Sequence, residues 1–324
     1  MEIFHSFQEI TGFTGAVVAL GTFDGVHRGH QMVMKTAIKR AAACGVKTMV
    51  VTFTAHPLSV LCPDKEPLRL ATIGQKAEYI EAVGIDGLVL LPMSEHLLQE
   101  SPEEFCQNLL TYIHPSAIVV GSNFTYGAKA AGNTETMKFF MSQYDIPVVA
   151  LTLLERPGRT TPISSTVIRR LIQMGHMETA ENLLGRPFAL TGTIVPGDRR
   201  GRTIGFATAN MLIPINMAIP PDGVYITELW WDGEGHPAMT NIGDNPTFEN
   251  QYRRIETHVL DWDADLYGKE VSLRFRKRLR GEEIFASADD LVAQMKKDEA
   301  ATRRFFANIK LSTSNFKLKK ALSS

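Results

Sequence analysis

Ala16-Val17-Val18-Ala19-Leu20 runs without a break into Gly21-Thr22-Phe23-Asp24-Gly25-Val26-His27-Arg28-Gly29-His30, and this stretch decides the fold of the first half of the chain. The five apolar residues are continuous rather than alternating, so they read as a strand buried on both faces of a parallel sheet. Glycines then bracket a turn, and residues 29–44 read as a helix ending at Gly45, a residue suited to a C-terminal cap. A helix N-terminus presents free N–H groups and a partial positive charge, so the turn suits an anion. It is not a P-loop, because G-x-x-x-x-G-K-[ST] is absent. Further continuous apolar runs follow at 46–53, 87–91, 117–121 and 147–154, separated by helix-like segments. One of these opens with Ser101-Pro102-Glu103-Glu104, a capping box with proline at the first helical position. Strand-helix alternation of this kind predicts a doubly wound α/β domain with its ligand at the C-terminal ends of the strands.

Composition bounds the rest. A chain of 324 residues is too long for one ordinary core and suits about two domains. Its 44% hydrophobic and 21% charged residues are those of a globular protein, and a net charge of -1 gives no reason to expect nucleic acid or an anionic membrane as partner. No apolar run approaches the roughly 18 residues that span a bilayer, and MEIFHSFQEI lacks the basic-then-apolar order of a signal peptide. Cys44, Cys62 and Cys106 are scattered, with neither disulfide-framework nor zinc spacing, and read as buried reduced thiols of a cytoplasmic protein.

Near residue 160 the pattern changes. Residues 164–174 and 177–184 read as two short helices. After Gly185-Arg186-Pro187 the chain turns strand-rich, with candidate strands FALTGTIV, GVYITELWW, PAMTNIG, IETHVLDW and KEVSLRFRKRL. In the last of these Val271, Leu273 and Phe275 alternate with Ser272, Arg274 and Arg276. Turn signals recur every ten to twenty residues, which predicts a mainly antiparallel barrel. A helix at about 287–309 closes it, and the tail KLKKALSS reads as a frayed end. The predicted domains are 1–184 and 185–310, with a tail at 311–324.

Two constellations carry chemistry. His27 and His30, spaced i, i+3 at a helix start, can turn both rings toward one ligand and donate to phosphate oxygens. Taken alone, the pair also reads as two surface histidines or half of a metal site. In the second half, Gly197, Gly201 and Gly205 punctuate a basic turn, and Thr208 and Asn210 follow with two oxygen donors. Glycines let a backbone approach phosphate closely, and hard oxygens suit Mg²⁺; a plain polar turn is the alternative.

Taken together, the motifs resemble two families. Residues 21–30 resemble the first motif of the nucleotidyltransferase superfamily, in the form carried by bacterial FAD synthetases. Thr52-Phe53-Thr54-Ala55-His56-Pro57, Gly121-Ser122-Asn123-Phe124-Thr125-Tyr126-Gly127 and Ile163-Ser164-Ser165-Thr166-Val167-Ile168-Arg169 resemble its later motifs in order. Residues 197–210 resemble the riboflavin kinase motif G-x-x-x-G-x-x-x-G-x-P-T-A-N, followed by family-like segments at Asn241 to Phe248, at Ile255-Glu256-Thr257-His258 and at Asp265-Leu266-Tyr267-Gly268. The resemblance implies a Rossmann-like nucleotidyltransferase domain with a parallel sheet. A mainly antiparallel β-barrel riboflavin kinase domain with a C-terminal helix would follow it. It implies a bifunctional enzyme that uses ATP and Mg²⁺ to turn riboflavin into FMN and FMN into FAD.

By the same resemblance, Gly21, Phe23, Gly25, His27, His30, Ser165, Thr166 and Arg169 would bind ATP for adenylylation, the histidines and Arg169 acting in catalysis. Pro57, Asn123, Phe124 and Tyr126 would lie at the flavin, although an aromatic there suits a core equally well. In the kinase, Gly197, Gly201, Arg202, Gly205 and Thr208 would bind ATP, Thr208 and Asn210 would hold Mg²⁺, and Glu256 would be the general base. The implied partners are small molecules, with no nucleic acid or membrane, in a monomer or weak homo-oligomer. The chain departs from the family pattern at Ala207 and Ala55, where proline is usual, and at Asn123, where many relatives carry aspartate. Ala207 raises the alternative of a weakened kinase. A flavin-binding regulator with dead sites is the other alternative, but the assigned side chains are all present.

Overall fold

The structure, a computed structural model, describes residues 1–158, 160–197, 205–243, 253–262 and 265–321, with side chains described to residue 309. Its contacts divide the chain into two compact units. One is Met1–Ile168 with Leu183–Gly185, the other Arg169–Asn182 with Arg186–Ser324.

The first unit begins with strand β1 (Glu2–Phe4), β2 (Val17–Leu20), helix α1 (Arg28–Cys44), β3 (Thr48–Phe53) and α2 (Leu58–Leu61). It continues with α3 (Ile73–Val83), β4 (Gly87–Leu91), α4 (Glu95–Gln99), α5 (Pro102–Tyr112) and β5 (Ala117–Gly121). The two short strands β6 (Thr125–Tyr126) and β7 (Gly132–Asn133), then α6 (Thr134–Ser142) and β8 (Val148–Leu151), complete the sheet-bearing part. The main sheet has the order β1-β4-β3-β2-β5-β8 and every pairing in it is parallel. Strand order therefore reverses at β2, and the crevice at the C-terminal ends of β2 and β5 is the topological switch point where ligands of such folds bind. Alternate residues of each strand feed two cores: Val18, Leu20, Met49 and Val51 one face, Val17, Ala19, Val50 and Leu88 the other. That is why the runs are apolar throughout. The three-residue edge strand β1 is too short to leave a periodic signal and is not foreseen from the sequence. The expectation of buried thiols holds for Cys106 but not for Cys44, which the structure leaves exposed.

Helices α7 (Ser165–Gln173) and α8 (Met177–Leu184) lead into the barrel strands β9 (Phe188–Val195), β10 (Ala209–Leu212), β11 (Gly223–Trp231), β12 (Glu234–Gly243), β13 (Arg254–Val259) and β14 (Glu270–Arg280). These close in the order β10-β13-β12-β11-β14-β9, all antiparallel, with β10 pairing β9 to complete the ring. Most of α8 packs with this unit: Glu181 pairs with Arg276 at 2.8 Å and Glu178 with Lys277 at 3.4 Å on β14. Helix α9 (Ala288–Ala321) closes the unit. It runs further than the sequence reading, which ended the helix near 309 and left the lysine-rich tail frayed. Beyond Gly281 the chain has no glycine or proline to stop a helix, and Ala, Leu and Lys favour its continuation. Among the described residues no helix is long and apolar enough to cross a membrane.

Candidate active sites

In the first unit the turn after β2 is strained. Phe23 (φ 48°), Gly25 (φ 73°) and Val26 (φ 39°) all lie in the left-handed region, which a β-branched residue rarely enters. Gly25 answers this with no Cβ, which would otherwise meet the Leu70 side chain at 2.8 Å. Tertiary hydrogen bonds over-determine the turn. The Thr22 carbonyl accepts from Thr52 Oγ1 at 3.0 Å and from Lys76 Nζ at 3.1 Å. Asp24 Oδ1 accepts from the Leu70 N–H at 3.1 Å, and the Asp24 carbonyl from Ser165 Oγ at 3.0 Å. Gln31 Nε2 donates to the Val26 carbonyl at 2.9 Å.

The turn leads directly into the two histidines. His27 is the N-cap of α1, and its Nδ1 accepts from the His30 N–H at 3.3 Å, which leaves Nε2 as the ring's donor. The two rings stack with centroids 3.5 Å apart, and Phe23 meets His30 edge-on at 5.3 Å. The sequence spacing has thus become one paired surface at a helix N-terminus. Phe23 itself is buried in the core, and a Cβ at Gly21 would strike its ring at 2.8 Å. Ser165 reaches this turn through Asp24. Thr166 is exposed beside it at the start of α7, and Arg169 lies one turn further along that helix.

The flavin candidates are spread over the neighbouring loops. Pro57 is the N-cap of α2 at the end of the loop after β3. Asn123 is exposed and Phe124 half-buried in the loop after β5, on the other side of the switch point. Tyr126 is a core residue: it is 7% exposed, stacks on Phe124 at 5.6 Å and contacts the Cys106 thiol at 3.5 Å. Burial pushes the Cys106 thiol up to about 11 and raises the Tyr126 hydroxyl as well. The sequence reading passed over Lys76. Its one signal was a lysine in the stripe formed with Ile80 and Val83, where helical spacing predicts an apolar residue.

In the second unit, strand register builds the site. Asn210 on β10 is the direct cross-strand partner of Glu256 on β13, and Glu256 faces Asn241 on its other side. Directly opposed residues point to the same face. Ile255, Thr257 and Val259 point into the barrel, which leaves Arg254, Glu256 and His258 together on the opposite face. That face is one wall of a cavity of about 690 Å³; Thr208 also lines it, and Leu291, Met295 and Asp298 of α9 form the facing wall. Arg254 Nη2 holds Glu256 Oε1 at 2.6 Å, and Arg254 Nε lies 3.5 Å from Asn210 Oδ1. A Cβ at Gly197 would overlap the Asn210 carboxamide, which would have to shift. His258 Nδ1 lies 2.8 Å from the Ala207 carbonyl, a tertiary tie on the segment where proline is absent. Gly205 precedes this segment with φ 82°. Gly201 and Arg202 lie outside the described residues, as do Asp244 to Phe248.

Comparison with known proteins matches a different family to each half of the chain. The FAD synthetase family profile matches residues 10–167, and the riboflavin kinase profile matches residues 184–306. A Listeria monocytogenes protein named bifunctional riboflavin kinase/FMN adenylyltransferase is 38% identical over 90% of this chain and 93% of its own length. The Bacillus subtilis protein of that name is 36% identical, over 91% of this chain and 94% of its own. The Escherichia coli one is 34% identical, over 90% and 93%. A crystal structure from Streptococcus pneumoniae, titled a macrolide-efflux protein, matches with a TM-score of 0.84 and 32% identity, covering 93% of this chain and 98% of its own. With both halves matched in order and relatives aligned over nine-tenths of its length, the chain belongs to the bifunctional riboflavin kinase/FMN adenylyltransferase family.

Proposed function

We propose a residue-level division of labour for this enzyme. The chain is a transferase with two activities: its C-terminal part phosphorylates riboflavin to FMN, and its N-terminal part adenylylates FMN to FAD. In adenylylation, a phosphate oxygen of FMN attacks the α-phosphorus of ATP, the α–β bridge bond breaks and pyrophosphate leaves. Catalysis there is positioning and charge stabilisation. His27 and His30 donate to the phosphates as charge moves to the leaving group. Ser165, Thr166 and Arg169 hold the β- and γ-phosphates, and Gly21, Phe23 and Gly25 shape the turn beneath the nucleotide. The loops bearing Pro57, Asn123 and Phe124 receive the flavin, while Tyr126 supports Phe124 from the core.

In the kinase, the ribityl 5′-hydroxyl oxygen attacks the γ-phosphorus, the β–γ bridge bond breaks and ADP leaves. The hydroxyl proton passes to the Glu256 carboxylate, which Arg254 holds in place. Gly197, Gly201, Arg202 and Gly205 carry the ATP phosphates. The hydroxyl of Thr208 and the carboxamide oxygen of Asn210 are hard donors beside Glu256, and that donor set fits Mg²⁺ sharing its shell with phosphates and water. When bound, the ion supplies neutralisation of the β- and γ-phosphate charge. The setting that suits these reactions is a cytoplasmic monomer or weak homo-oligomer acting on small molecules, not on nucleic acid.

The observation that supports this reading is that His27 stacks on His30 in one unit while Asn210 pairs with Glu256 in the other. The test is chromatography of products from His30→Ala and Glu256→Ala with ATP and Mg²⁺. His30→Ala should stop FAD formation and spare FMN formation. Glu256→Ala should stop FMN formation from riboflavin and spare FAD formation from added FMN. If each variant abolishes both reactions, the two-site assignment is wrong.

A further inference from the structure

We propose that Lys76 is a positioning residue for adenylyl transfer, whose ammonium ties the turn after β2 to the end of β3 and so holds the His27–His30 surface in register. The inference rests on the reading of the first site given above. Lys76 sits on α3 and is only 7% exposed. Its Nζ donates to the Thr22 carbonyl at 3.1 Å and to the Phe53 carbonyl at 2.9 Å. Phe53 is the last residue of β3, and Thr22 opens the strained turn that carries the histidines.

Two physical arguments give this lysine a role beyond packing. The first is strain. Left-handed Phe23 and Val26 persist only where the surroundings over-determine them. Thr52 gives the Thr22 carbonyl a neutral tie, but Lys76 adds a charge-assisted one, which is about twice as strong, and connects a third element, α3. The second is charge. Carbonyl oxygens at the C-terminal ends of parallel strands point toward the crevice where phosphates bind. An ammonium that caps two of them removes that repulsion and adds attraction for an anion in a setting where water screens little. A lysine used only to fill space would be replaced by methionine or leucine without this desolvation.

The charge is sensitive to pH. Burial lowers the Lys76 pKa to about 8, partly offset by the carboxylate of Asp24 and reinforced by Arg69, whose guanidinium is paired with Glu66 at 3.0 Å. As pH rises through this value the charge-assisted ties become neutral ones.

The test is Lys76→Met in the full chain, with both reactions measured on the same preparation. The FMN-to-FAD kcat should fall on the order of 10- to 100-fold, as misplacement of catalytic groups does, while the KM for FMN changes little. FMN formation from riboflavin should stay at the wild-type rate, and residual FAD formation with an unchanged KM for FMN shows that the first unit is folded. The wild-type FAD-forming rate should decline as pH rises through about 8, and Lys76→Met should lack that decline. The inference is overturned if Lys76→Met makes FAD at the wild-type rate, keeps the alkaline decline, or loses both reactions in parallel. His30→Ala run beside it separates the two readings. If His30→Ala also leaves FAD formation intact, the assignment of the first site falls. If it abolishes FAD formation while Lys76→Met does not, only the role of Lys76 falls.

Discussion

Lys76 keeps a charge where burial opposes one, and that conflict links stability to function. Its pKa is about 8 in the fold against 10.5 for an ordinary lysine, so between these values the native state binds fewer protons than the unfolded chain. The penalty is fully present below pH 8, and stability rises as pH increases above it. We therefore expect wild-type stability to gain on that of Lys76→Met by on the order of 2 kcal/mol between pH 7 and 9.5, measured by chemical denaturation. Comparing the two proteins cancels the opposite trend from Cys106, Tyr126 and Tyr225, whose raised pKa values act in both. A constant difference across that range would show that the buried charge does not titrate as described. FAD formation should fall over the same interval, so stability and activity move in opposite directions, as they do where a strained site is kept for its chemistry.

Helix ends were legible because their chemistry is local. Ser101 accepts from the Glu104 N–H at 3.1 Å while the Glu104 carboxylate accepts from the Ser101 N–H at 2.7 Å, completing the box that Ser101-Pro102-Glu103-Glu104 spells out. Gly45 caps α1 as its place after the helical run implies. Helix α5 carries Phe105, Cys106 and Leu109 into the core, so loss of its cap should be felt globally. Ser101→Ala is expected to lower unfolding stability by about 1 kcal/mol, read from the denaturation midpoint at unchanged slope. No shift would mean that tertiary packing alone holds this helix start. Strand β10 was not legible. Its first two residues, Ala209 and Asn210, lie in a motif read for its ligands, and its strand character comes from pairing with both β9 and β13.

Each unit has a hydrophobic core of its own. Leu109, Ile118, Met137 and Met141 are fully buried in the first, and Leu190, Tyr225, Leu273 and Phe275 in the second. A cavity in one core should therefore weaken one activity before the other. Leu109→Ala is expected to cost about 2–5 kcal/mol, the usual range for such a truncation. On heating, FAD formation should be lost several degrees before FMN formation from riboflavin. Loss of both at one temperature would show that the units unfold as a single cooperative block.

Local chemistry was written in the order of residues. The continuous apolar strands, the helix caps, the His27–His30 spacing and the Thr208–Asn210 pair all depend on neighbours within a few positions, so they could be read along the chain. Three features could not. Asn210 and Glu256 are 46 positions apart, and only antiparallel register makes them opposite partners. The barrel and its closing helix were foreseen, but not the cavity between them that Glu256 faces. The role of Lys76 shows only once α3 packs against the ends of β2 and β3 and leaves its ammonium with carbonyls in place of water. Register, enclosure and desolvation arise between elements distant in sequence, and no local pattern encodes them.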